Sequence, residues 1–163
     1  MEKGFTLTEL LVAITIMAIL SSVGIASFVS YSRTQELNSA TQDVVTMLQL
    51  AKASANSQIK PSSCTPGSLK AYKVFTSSSD NNFFSEPVCD DDPNPNCDTI
   101  GDTASKKTQE LSANISFSSN NCILFRTITG DVSFTSSSIV LRHSQLASTK
   151  TITITVDGRI HVQ

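Results

Sequence analysis

Tryptophan is absent from this 163-residue chain, and only 16% of its residues are charged. Twelve basic residues stand against fourteen acidic ones, a formal net charge of -2. That balance excludes a general electrostatic attraction to nucleic acid or anionic lipid. There are two histidines, His143 and His161, both near the C-terminus, and no C-x2-C pair, so zinc spacing is missing. No glycine-rich phosphate loop, paired glutamate motif or nucleophile set with a histidine partner occurs. These absences speak against an enzyme, and no cofactor is expected. Proline is missing from residues 5–58, which leaves a long stretch free to be helical.

What is present falls into three zones. Residues 10–29 are apolar, broken only by Thr15, Ser21, Ser22, Gly24 and Ser27, and carry no charge. As a helix this run spans about 30 Å, enough to cross a hydrocarbon core. Residues 30–57 are polar but keep a helical stripe through Leu37, Ala40, Val44, Met47 or Leu48, Ala51 and Ala55. Pro61 then marks the stop. The pattern predicts one helix over 5–58 whose outer half packs on its own domain, because so long a helix does not stand alone in water.

Glu9 abuts the apolar run. A carboxylate at membrane depth costs about 2.5–3.5 kcal/mol, so it needs a partner. Cleavage after Gly4 would give Phe5 a free α-amine four residues away, on the same helix face as Glu9. In an assembly a neighbour's amine would serve equally well. Two plainer readings compete. An ordinary secretory signal could be cut near Gly24-Ile25-Ala26, but the segment before the apolar run lacks the usual basic character. A plain anchor explains the length and not Glu9.

The stretch Gly4-Phe5-Thr6-Leu7-Thr8-Glu9-Leu10-Leu11-Val12 resembles the signal of type IV prepilins and type II secretion pseudopilins. The resemblance implies cleavage between Gly4 and Phe5 by prepilin peptidase, N-methylation of Phe5, and an assembly role for Glu9. It also implies other pilins as partners through the N-terminal helix, and a single pass of the inner membrane with the globular part outside the cytoplasm. The regions are then 1–4 leader, 5–29 transmembrane helix, 30–58 outer half of the same helix, and 59–163 globular domain. One departure is Ala26, where many pilins have a helix-kinking proline. Local melting of the helix on assembly is correspondingly less expected here.

Residues 61–113 read as loop-rich, with strands expected near 70–76 and 114–118. Cys64, Cys89, Cys97 and Cys122 all lie beyond the apolar run. An even count there predicts two disulfides in an oxidising compartment, with all three pairings open. Asp90, Asp91 and Asp92 begin an acidic run that could offer oxygens to Ca²⁺. The EF-hand spacing is absent, so a solvated loop is the expected reading.

From residue 121 the pattern alternates, with strands expected at 122–128, 132–135, 139–143, 151–155 and 159–163. The last two form a hairpin around Val156-Asp157-Gly158. A two-residue Asp-Gly turn would mix apolar and charged side chains on each face. A three-residue loop with Gly158 left-handed pairs Ile154 with Ile160 and Ile152 with Val162, and makes a clean apolar face. The expected fold class is α+β, a long N-terminal helix packed on a small antiparallel sheet. The helix stretch Leu48-Gln49-Leu50-Ala51-Lys52-Ala53 and the turn Gly158-Arg159-Ile160 are loosely similar to the minor pseudopilin general secretion pathway protein H and to FimT-type minor pilins. For the FimT type this implies DNA as a partner, here through Arg159 and His161, with Arg142, His143 and Lys150 as candidate neighbours. An ordinary solvent face on an edge strand is the plainer reading.

Overall fold

The computed structural model describes residues 4, 6–64, 67–89, 96–98, 101 and 103–163, without the side chains of residues 22–24, 26 and 63. One helix, α1 (Leu7–Asn56), is followed by nine strands: β1 (Leu69–Thr76), β2 (Asn82–Cys89), β3 (Lys107–Glu110), β4 (Ile115–Phe117), β5 (Asn121–Arg126), β6 (Val132–Phe134), β7 (Ser138–His143), β8 (Thr149–Ile154) and β9 (Ile160–Val162). The chain divides into two compact units, Met1–Glu36 and Leu37–Gln163.

In the first unit α1 is apolar over most of its surface. Leu10, Leu11, Ile14, Met17, Ile19, Leu20 and Ile25 are each more than half exposed. Among the described residues no helix is long and apolar enough to cross a membrane.

In the second unit the stripe behaves as its spacing predicts. Leu37, Ala40, Val44, Met47, Leu48, Ala51 and Ala55 are all buried. They meet two antiparallel sheets, one in the order β3-β2-β1-β5-β6 and the other β4-β7-β8-β9. Val74, Phe83, Ile123 and Phe125 come from the first sheet, and Ile115, Ile139, Leu141, Ile152 and Ile154 from the second. Each fully buried aliphatic contributes about 1.5–3 kcal/mol. The other face of the first sheet holds a small second cluster, Ala71, Val88 and Leu124. Beside that cluster, Lys73 and Glu86 are cross-strand partners joined by an ion pair of 2.7 Å.

Two strands have no counterpart in the sequence reading. In β2 the alternation is lost because both faces are covered, and Ser85, Glu86 and Val88 are all buried. Pro87 also argues against a central strand. The strand tolerates it because β3 pairs only with Asn82 to Ser85, so no ladder partner stands beside the proline nitrogen. In β3 all four residues are exposed, so no apolar pattern exists to find. The helix and the seven other strands lie within a few residues of their expected positions. The single expected sheet is two.

The cysteines pair as Cys64–Cys89 and Cys97–Cys122, each across 25 residues. The first ties the turn after α1 to the end of β2. Closing a loop of this size removes about 3 kcal/mol of unfolded-state entropy. A Cys64→Ser/Cys89→Ser variant is therefore expected to lose about 2–4 kcal/mol in a urea unfolding curve. A loss below about 0.5 kcal/mol, the level of ordinary surface changes, would count against this.

Candidate functional site

The N-terminal end of α1 is built by a local motif that the sequence reading missed. Thr6 precedes the first helical residue, and the Glu9 amide donates to Thr6 Oγ1 at 3.3 Å. The Thr6 hydroxyl lies 3.5 Å from Glu9 Oε2 as donor, and 3.1 Å from Thr8 Oγ1. The Leu10 amide donates to the Thr6 carbonyl at 3.2 Å. Thr6 thus caps the helix by accepting a first-turn amide, and the Ser/Thr-x-x-Glu spacing places an acid where the helix dipole favours it, here accepting from the Thr6 hydroxyl. The signal was legible in Thr6-Leu7-Thr8-Glu9. Glu9 is exposed, and no described cation pairs with it. Gly4 is exposed, and Phe5 lies outside the described residues.

Asp90, Asp91 and Asp92 also lie outside the described residues. Just beyond them, the Asp98 amide donates to Asn96 Oδ1 at 2.8 Å. Among the described residues no cluster of three or more His, Cys, Asp or Glu side chains could hold a metal ion.

At the C-terminal hairpin the structure adopts the three-residue register, Ile152 opposite Val162, Thr153 opposite His161 and Ile154 opposite Ile160. The Thr155 amide donates to the Arg159 carbonyl at 3.0 Å, and the Gly158 amide to the Thr155 carbonyl at 2.8 Å. Gly158 sits at φ 74°, the left-handed region that excludes most side chains. It is also pinned from the helix, because Lys52 Nζ donates to its carbonyl at 2.7 Å. A Cβ at this position would stand 3.1 Å from both Lys52 Nζ and Val132 Cγ2. Gly158→Ala is expected to cost about 1–2 kcal/mol in thermal unfolding through the backbone alone. An unchanged melting temperature would show that the turn relaxes freely.

The proposed basic face is only partly assembled. Arg159 is exposed and ion-paired with Asp157 at 2.8 Å. The Asp157 carboxyl is held below its usual range, chiefly by the hydrogen bond from the Thr155 hydroxyl and also by Arg159. His161 is exposed opposite Thr153, and Arg142 is exposed opposite Thr149, four residues along the same strand. His143 is buried, and its Nδ1 accepts from the Gln145 amide at 3.1 Å. Lys150 pairs with the buried Leu141 on the core side of the sheet. Of the residues considered for this face, His143 and Lys150 therefore point away from it, while Arg159, Arg142 and His161 are exposed, Arg159 in an ion pair with Asp157.

A long capped helix whose outer part packs on antiparallel sheets, with two disulfides in the packed part, is a pilin-like α+β architecture. Residues 1–25 match the family described as the prokaryotic N-terminal methylation motif, which supports a type IV pilin-like protein and points to a structural role rather than an enzyme. No match is found among curated proteins or solved structures.

Proposed function

We propose that the chain is a structural subunit, a minor pilin or pseudopilin, of a type IV pilus or type II secretion filament. Prepilin peptidase cuts it between Gly4 and Phe5 and methylates Phe5. The apolar helix then anchors it once in the inner membrane, with the globular domain outside the cytoplasm, until it joins other pilins through that helix. The observation that carries this reading is the methylation-motif match over residues 1–25, placed at the capped start of a continuous helix. Two disulfides support an oxidising compartment for residues 64–122. Within the broad class, the protein H and FimT group is favoured by one contact. The two stretches that carry that resemblance, around Lys52 and around Gly158, touch through the Lys52 hydrogen bond.

Mass spectrometry of the native protein tests the processing directly. The expected N-terminus is Phe5 carrying one methyl group. An N-terminus at Ser27 would indicate ordinary secretion, and an unprocessed Met1 would remove the basis of the proposal.

A further inference from the structure

Sheet one ends at β3, and near that edge a groove separates α1 from the helix-facing side of β1, β2 and β3. Two adjoining hollows of about 310 and 450 Å³ share Leu50, Ser85 and Lys107. The helix contributes Met47 and Leu50 to the walls, and β1 and β2 contribute Tyr72 and Pro87. Leu50 is 47% exposed, although it lies within the stretch of α1 that packs on the sheets. Among the described residues no strand pairs with the outer side of β3, and the helix overhangs the sheet close to that edge. The Leu111 amide donates to the Asn81 carbonyl. By the alternation of an antiparallel ladder, Lys107 and Gln109 therefore also bond toward β2. Thr108 and Glu110 are left with backbone groups facing outward.

Charge narrows the occupant. Lys106 and Lys107 line the groove, and no described lining residue is acidic. Lys106 is drawn over the Phe84 ring at 3.5 Å, whereas Lys107 reaches both hollows and has no ion-pair partner among the described residues. Glu110, at the far end of β3, limits the basic stretch to its start.

We propose that β3 and this groove accept an extended, acidic segment of a partner protein, which adds as a sixth strand and places apolar side chains against Leu50 and Met47. Main-chain pairing would supply much of the affinity, and Lys107 the preference for carboxylates. Edge lysines also serve to repel stray strands, so the experiment must distinguish a receptor from a guard.

The probe is a peptide of about seven residues, a common strand length, alternating leucine with glutamate. It is titrated onto the full chain in detergent, with anisotropy as the readout. Saturable binding is expected, weakened at least about tenfold, or 1.4 kcal/mol, by Lys107→Glu. The same variant should bind a leucine–lysine peptide more tightly than the wild type does. N-methylation of alternate peptide amides should abolish binding, because it removes the main-chain donors. No binding of the parent peptide, indifference to Lys107→Glu, or equal binding of the N-methylated peptide each overturns the proposal; micelle adsorption would appear as the second. Self-association relieved by Lys107→Glu would put a second copy in the groove and overturn it equally.

Discussion

Lys73→Met is expected to cost about 3–5 kcal/mol of stability, the usual result of removing one partner from a buried ion pair. Lys73 Nζ and Glu86 Oε1 are 2.7 Å apart, and the two side chains are 10% and 6% exposed. Lys73 lies on β1 and Glu86 on β2, directly opposite one another. Glu86 is covered closely enough that a Cβ on Gly101 would stand 2.4 Å from its carboxyl carbon. Methionine keeps most of the lysine stem and removes the charge, so the main effect is a carboxylate left in a dry site. The double variant Lys73→Met/Glu86→Leu should recover most of the loss, because a pair of well-packed apolar groups can replace a buried ion pair at little cost. Urea unfolding of the two variants decides the matter. A single variant within about 1 kcal/mol of wild type would mean that water reaches the pair and that it is effectively a surface bridge.

Glu9→Ala should reduce incorporation into filaments by about tenfold or more, since even 1.4 kcal/mol per subunit contact changes an equilibrium tenfold. The proposed mechanism is attraction between this carboxylate and the α-amine exposed at Phe5, the subunit's own or its neighbour's, at a depth where water does not screen the pair. The capping arrangement adds a second role that alanine would also remove in part: the Glu9 carboxylate accepts from the Thr6 hydroxyl, whereas the backbone amide of residue 9 keeps its bond to Thr6 with any side chain. Glu9→Gln separates the two. Glutamine preserves the capping geometry and abolishes the charge. Filament yield measured by shearing and immunoblot should fall with both variants if charge drives assembly. Wild-type yield with glutamine and a loss with alanine would assign the residue to helix capping and remove the electrostatic mechanism.

Much of this architecture can be read without coordinates, and the reasons are local. Leu37 through Ala55 repeat at helical spacing because one side of α1 meets the sheets. The terminal hairpin is readable because slipping Ile152 and Ile154 by one residue would turn both outward. The middle is harder. Strand β2 carries a buried Glu86 whose partner, Lys73, sits on the neighbouring strand, and cross-strand pairing of that kind leaves no periodic trace. Strand β3 has only backbone pairing to hold it. At the candidate site, Glu9 stands out as a carboxylate against the apolar run, and Gly4 and Phe5 through the resemblance to the prepilin signal. The capping role of Thr6 is equally visible in the Thr6-Leu7-Thr8-Glu9 spacing. That His143 points inward depends on strand register beyond the terminal hairpin, which no short-range pattern supplied.

The cysteine pairing has a consequence for biosynthesis. Cys64 joins the next cysteine along the chain, Cys89, and Cys97 joins the next after that, Cys122, so the two covalent rings follow one another without overlap. A polypeptide emerging N-terminus first would expose each thiol just before its proper mate. An oxidase that joins thiols in order of arrival would then make both bonds correctly, and shuffling by an isomerase would be unnecessary.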